Sequence, residues 1–242
     1  MNEPPSVSGL RVTVPLVAVG AAAWLALALR PAHEAHGSMH ATGWTPASLA
    51  VEAALMFAAM MLPLSAAPLQ HVRDRGPAGR RGWSAALFVA AYALPWIAAG
   101  VMLLAAARRM SAAESPAVPW LAVVAVAAFQ ASPAKQWCLN RCHAHPPLAP
   151  FGARAHLDVL GFGLRHAGWC IGSCAALMLL PMLLTRGHLA GMAGVMVLIA
   201  GERLEAPAAP RWRWRGPGTI VRLALARLQA PLIAPPGSGS RR

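Results

Sequence analysis

"WSAALFVAAYALPWIAAGVMLLAAA", residues 83–107, runs for 25 residues without a charged side chain. A bilayer's hydrocarbon core is spanned by a helix of about 20 apolar residues. The stretch therefore reads as a transmembrane helix, and it has companions. "VTVPLVAVGAAAWLALAL" covers 12–29 and "SLAVEAALMFAAMMLPLSAAPL" covers 48–69. Further apolar runs lie at about 118–134, within 157–184 and at 188–204. In lipid, backbone polar groups are satisfied only within the segment or in a closed barrel. The polar–apolar alternation of barrel strands is not visible. The expected fold class is all-α, a polytopic membrane helix bundle of about six transmembrane helices with no β-sheet.

Composition agrees. The chain has 242 residues, 57% hydrophobic and 12% charged, and its mean hydropathy is +0.50. A soluble domain carries about twice that charged fraction. The formal net charge is +13, from 20 Arg, one Lys and eight acids. So basic a chain raises the question of nucleic acid. The arginines, however, sit between the apolar runs and in the C-terminal tail, which suits anionic headgroups and excludes a nucleic-acid partner.

Loop charges set an expected orientation. Residues 70–82 hold Arg73, Arg75, Arg80 and Arg81, and 135–156 hold Lys135, Arg141 and Arg154. The intervening loops are poorer in Arg. The bias places both termini in the cytoplasm of a bacterial-type inner membrane. The organisation expected is an N-terminal tail over 1–11, a transmembrane domain over 12–204 and a basic tail over 205–242. "ALA" at 26–28 resembles a signal-peptide cleavage site, but the run is long and Glu3 precedes it, which favours an uncleaved helix. In the tail, "RWRWR" (211–215) suits a headgroup interface. "TIVRLALARLQAPLI" (219–233) reads as an interfacial amphipathic helix, or else as part of a partly ordered basic tail.

The chemistry-bearing residues cluster. Cys138 and Cys142 form C-x3-C, and so do Cys170 and Cys174. Residues four apart share one helix face, so two such pairs can offer four sulfurs. Thiolates suit Cu+ and Zn2+. His166, Cys170, Cys174, Met178 and Met182 follow at intervals of four. The first three fall in one sector of a helix, and Met178 continues the stripe. Imidazole, thiolate and thioether together favour copper, with zinc second. Cysteine and methionine are also ordinary core residues. His143 and His145 extend the first pair, before Pro146 and Pro147 end the helix. In the first outer loop, "HEAHGSMH" holds His33, His36, Met39 and His40, an outer metal-capture cluster or a merely polar loop. Gly161, Gly163, Gly168 and Gly172 allow helices to approach closely. Glu202 and Arg203 read as marking a membrane boundary.

At these residues the chain resembles the predicted metal-binding integral membrane proteins grouped as domain of unknown function 2182. The similar stretches are "AAMMLP" (58–63), "QASPAKQWCLNRC" (130–142), "GLRHAGWCIGSCAALM" (163–178) and "GVMVLIAGERL" (194–204). The resemblance covers about 48–204. It implies a multi-helix membrane protein with a metal site. Cys138, Cys142, Cys170 and Cys174 match the family's cysteines, and Gln130, Pro133, Lys135 and Glu202 match other recurring positions. Ser173 departs, where members often carry a further cysteine.

The resulting expectation is an integral membrane protein that binds copper, or zinc, for handling, delivery or transport. Its partners would be the lipid bilayer, the metal ion, and a metallochaperone or membrane protein. The alternatives are a membrane thiol–disulfide protein and a structural assembly partner with packing cysteines. C-x3-C is not the common C-x-x-C redox motif. The sequence has no P-loop, nucleophile elbow or H-E-x-x-H, so hydrolase and ATP-driven pump readings have no support; whether the protein is an enzyme stays open, with a non-enzyme favoured.

Overall fold

A computed structural model describes residues 7–29, 45–112, 115, 117–184, 186–215, 218 and 222. It is all-helical, with no strand among the described residues. The helices are α1 (Val7–Ala28), α2 (Pro46–Met56), α3 (Ala66–Arg75), α4 (Arg81–Ala112), α5 (Ala117–Ala131), α6 (Pro133–Cys142), α7 (Gly152–Met182) and α8 (His188–Arg203). A π turn, Phe57–Met61, and a short helical segment, Leu62–Leu64, carry α2 onward.

Helices occupy all six apolar runs, but fewer qualify as spans. Three described stretches are long and apolar enough to cross a membrane: Arg11–Ala28, Pro46–Leu64 and Ala78–Ala112. α5 and α6 qualify as a fourth only when taken together, bent by 61°. The six expected spans thus reduce to three or four by length and composition. α8 has only 16 residues, and the first half of α7 carries Arg154, Asp158, Arg165 and His166. The expected outer cluster His33, His36, Met39 and His40 lies outside the described residues. So does the expected interfacial helix, apart from Arg222.

Two prolines shape the bundle. Pro63 has no N–H for the carbonyl of Ala59, four residues earlier. Trp24 of α1 supplies the missing donor, its indole Nε1 hydrogen-bonding Ala59 O at 3.1 Å. The π turn lies just before this proline, where such irregularities are common. Pro133 opens α6 at its first turn, and proline disfavours helical geometry at the residue before it. Ser132 is accordingly extended, at φ −72° and ψ 151°, and its side chain caps α6 by accepting from Lys135 N at 3.2 Å. Such a cap stabilises a helix by about 1 kcal/mol. The bend therefore follows from "SP" and turns α6 across the bundle.

α7 is the hub, packed on α4, α5, α6 and α8. Its contact with α4 is the most extensive between described helices, and it is close. A Cβ at Gly163 would lie 2.7 Å from Ala91 Cβ and 3.0 Å from Phe88 O. Only glycine permits that approach. On α7's other side, Trp137 of α6 meets Trp169 edge-on at 4.7 Å, with the Arg141 guanidinium 5.2 and 5.8 Å from the two rings. The core between these helices holds Phe88, Tyr92, Trp96, Met60 and Met192, all nearly inaccessible.

Candidate functional site

The cysteine pairs come from α6 and α7, and the structure brings them together. All four thiols are free. Cys170 and Cys174 are wholly buried, Cys142 is nearly so, and Cys138 is half-buried. α6 approaches α7 at Gly172, where a Cβ would stand 2.9 Å from Cys138 Sγ. Of the four glycines expected to aid packing, Gly163 and Gly172 do so. Gly168 faces open space, and Gly161 has only the Arg165 guanidinium near it.

Ser173 sits between the pairs. Its hydroxyl donates to Cys170 O at 2.9 Å and lies 3.2 Å from Cys174 Sγ and 4.0 Å from Cys142 Sγ. Tyr92 of α4 places its hydroxyl 3.1 Å from Cys170 Sγ. Arg203, at the end of α8, reaches both helices. Its Nη2 is 2.7 Å from Cys170 Sγ and 4.0 Å from Cys142 Sγ. One guanidinium nitrogen thus contacts a sulfur from each pair. Arg203 does not simply mark a boundary; it puts a positive charge among the thiols. Among the described residues, no three His, Cys, Asp or Glu side chains are grouped to hold a metal ion directly.

His166 lies one turn before Cys170 and is 2% exposed. Its Nε2 is buried without a hydrogen-bond partner. The ring packs among Phe88, Tyr92 and Phe162, with centroids 6.2, 5.5 and 5.8 Å away. An imidazole nitrogen so placed costs desolvation without compensation. Met178 is buried one turn beyond Cys174. His143 is engaged elsewhere: its Nδ1 meets Leu139 O at 2.9 Å and its Nε2 meets Arg203 O at 3.1 Å. Both nitrogens face carbonyls, so this ring clamps α6 to the end of α8. His145 is exposed and packs against His71, with ring centroids 5.0 Å apart. Partial burial of the ring, and then neighbouring His71, lower its imidazole below the ordinary value.

Beneath the thiols lies a polar ring. Lys135 Nζ pairs with Glu202 Oε2 at 2.8 Å, and both side chains are almost inaccessible. Gln130 closes the ring, accepting from Lys135 and donating to Glu202. Mutual satisfaction is what makes such a buried pair tolerable. Arg215 seals it from the tail, donating to Gln136 Oε1 at 2.9 Å and Gln130 O at 2.8 Å. Within "RWRWR", Arg215 is buried while Trp212 and Trp214 point outward. Composition and spacing did not single out Tyr92, Ser173 or Arg203. Arg203 lay within the similar stretch "GVMVLIAGERL", and Ser173 stood out there only as a departure.

Buried sulfurs on two helices, an imidazole nitrogen without a hydrogen-bond partner and a thioether lie in this part of the bundle, and these are ligand types that soft cations prefer. No curated protein and no solved structure matches the chain significantly. A family model matches residues 51–226. It bears a different name from the family suggested by resemblance, and its description does not mention a membrane. By this match over most of its length, the chain belongs to the PpoB2 family, described as copper chaperone.

Proposed function

We propose that the protein is a membrane-embedded copper-handling protein that holds Cu+ between the cysteine pairs of α6 and α7 and passes it to a partner metalloprotein. Family membership supports copper handling in general. One observation carries the finer reading: sulfurs from both pairs converge on a single cation, the Arg203 guanidinium. A place that accommodates one buried positive charge among thiols suits another. Cys138, Cys142, Cys170 and Cys174 are the sulfur donors, with His166 and Met178 next in line along α7. Cu+ is favoured over Zn2+ because thiolate and thioether sulfur are soft ligands.

Charge arithmetic gives Arg203 its part. Two thiolates on one Cu+ carry a net single negative charge. Buried, that charge needs a counter-ion, and Arg203 moves from contact with the sulfur to compensation of the complex. The thiol protons leave as the metal binds, so uptake acidifies the medium. The membrane setting draws support from the long apolar helices and from the outward Leu94, Met102, Trp120, Leu121 and Val124. The bacterial inner membrane and the cytoplasmic placement of the basic loops belong to the same reading.

Metal analysis of anaerobically purified protein tests it. The expected result is about one copper per chain, at an affinity typical of thiolate sites, lost in Cys170→Ser/Cys174→Ser. Equal copper in the parent and the double variant would overturn the thiol site.

A further inference from the structure

Cys170 and Cys174 are wholly buried, and a line of side chains leads outward from them. Cys170 Sγ lies 3.1 Å from the Tyr92 hydroxyl, and the Tyr92 ring is 5.5 Å from that of His166. His166 in turn packs on Phe162 at 5.8 Å. On the far side of Phe162 stand two more imidazoles, His71 at 5.9 Å and His145 at 6.3 Å. These two meet edge-on, with centroids 5.0 Å apart and planes at 62°. His71 comes from α3 and is half-buried; His145 comes from the segment after α6 and is exposed.

His71 has the support of a metal-binding histidine. A ligating imidazole commonly donates its other N–H to a backbone carbonyl, which fixes tautomer and orientation. His71 Nε2 lies 2.9 Å from Pro146 O. A carbonyl only accepts, so Nε2 carries the proton and Nδ1 keeps its lone pair. Two imidazole nitrogens from separate segments suit a monovalent, two-coordinate ion. Zn2+ would need about four ligands.

We propose that His71 and His145 form a second, surface copper site, a two-imidazole dock for Cu+ that loads the buried thiols through His166. The loading role rests on the cysteines being copper ligands; the dock itself does not. The ion stays Cu+ throughout and exchanges nitrogen for nitrogen and then nitrogen for sulfur. Phe162 separates the dock from His166, and its side chain swings aside for passage.

Transfer kinetics test this in the full chain, in lipid nanodiscs under anaerobic conditions. Cu+ is presented as its coloured bicinchoninate complex, and the loss of colour gives the rate. His71→Ala and His145→Ala are each expected to slow uptake about tenfold while the final copper content stays at the parent value. That unchanged endpoint shows an intact fold and thiol site. Uptake at the parent rate in both variants would overturn the dock. A second arm uses the chain with all four cysteines changed to Ser. Titrated with the same complex, it is expected to retain weakly held copper with a nitrogen-only X-ray absorption signature, lost on adding His145→Ala. A nitrogen signature that persists without His145 would overturn the dock. A parent chain lacking sulfur-bound copper, beside a His145-dependent nitrogen signal in the Ser chain, would retire the thiol reading and uphold the dock.

Discussion

Arg203 is the residue on which the metal-free site turns. A buried guanidinium normally meets a carboxylate, but the nearby Glu202 is committed to Lys135. Arg203 instead faces sulfur at 2.7 Å. If its role were only to fill space, Arg203→Gln would leave copper affinity nearly unchanged. The charge argument predicts otherwise. Removing one partner of a buried ion pair costs about 3–5 kcal/mol, and 1.4 kcal/mol is about tenfold in affinity. Arg203→Gln should weaken Cu+ binding by at least about tenfold in a chelator competition. Arg203→Lys, which keeps the charge but loses the planar fork, should fall between. An affinity for Arg203→Gln equal to the parent's would remove the counter-ion role.

At the scale of elements, the site exists because α7 is approached closely on two sides. Gly163 admits α4, which carries Tyr92, and Gly172 admits α6, which carries Cys138. Gly163→Ala would force a methyl group against Ala91 and the Phe88 carbonyl. Backbone cannot yield as a side-chain end can, and overpacking costs about 1–3 kcal/mol. Gly168→Ala meets nothing within 4 Å and should be neutral or slightly stabilising, since alanine favours helix. Thermal unfolding in detergent should show a lowered midpoint for Gly163→Ala alone; equal midpoints would mean that α4 and α7 are not so close. Much of this was legible in the sequence. The apolar runs located the helices, and the repeated C-x3-C with its glycines paired α6 with α7. "SP" at 132–133 was visible too, but the 61° bend it sets was not. The partners of Arg203 were hidden because a residue at the end of an apolar run looks the same whether it faces headgroups or thiols. His71 was passed over for the same reason: its neighbour His145 is 74 residues away, and only the fold joins them.

For the molecule as a whole, the question is which surface meets lipid. α4 is 32 residues long, which at 1.5 Å per residue gives about 48 Å. That exceeds the roughly 30 Å hydrocarbon core, so its ends must emerge or the helix must tilt. Leu94 and Met102, 67% and 72% exposed, lie within the 83–107 run and point outward from the described helices. The chain carries a built-in means of checking this. Its one lysine, Lys135, is wholly buried in an ion pair, so an amine reagent that cannot cross membranes should leave the parent side chains unlabelled. Lysines introduced as Gly79→Lys and Ser115→Lys stand at exposed positions beyond opposite ends of α4. If α4 spans the bilayer with the basic 70–82 loop inside, Gly79→Lys should label only in inverted membrane vesicles. Ser115→Lys should label only in right-side-out ones. Labelling of both from one side would mean that α4 does not cross the bilayer.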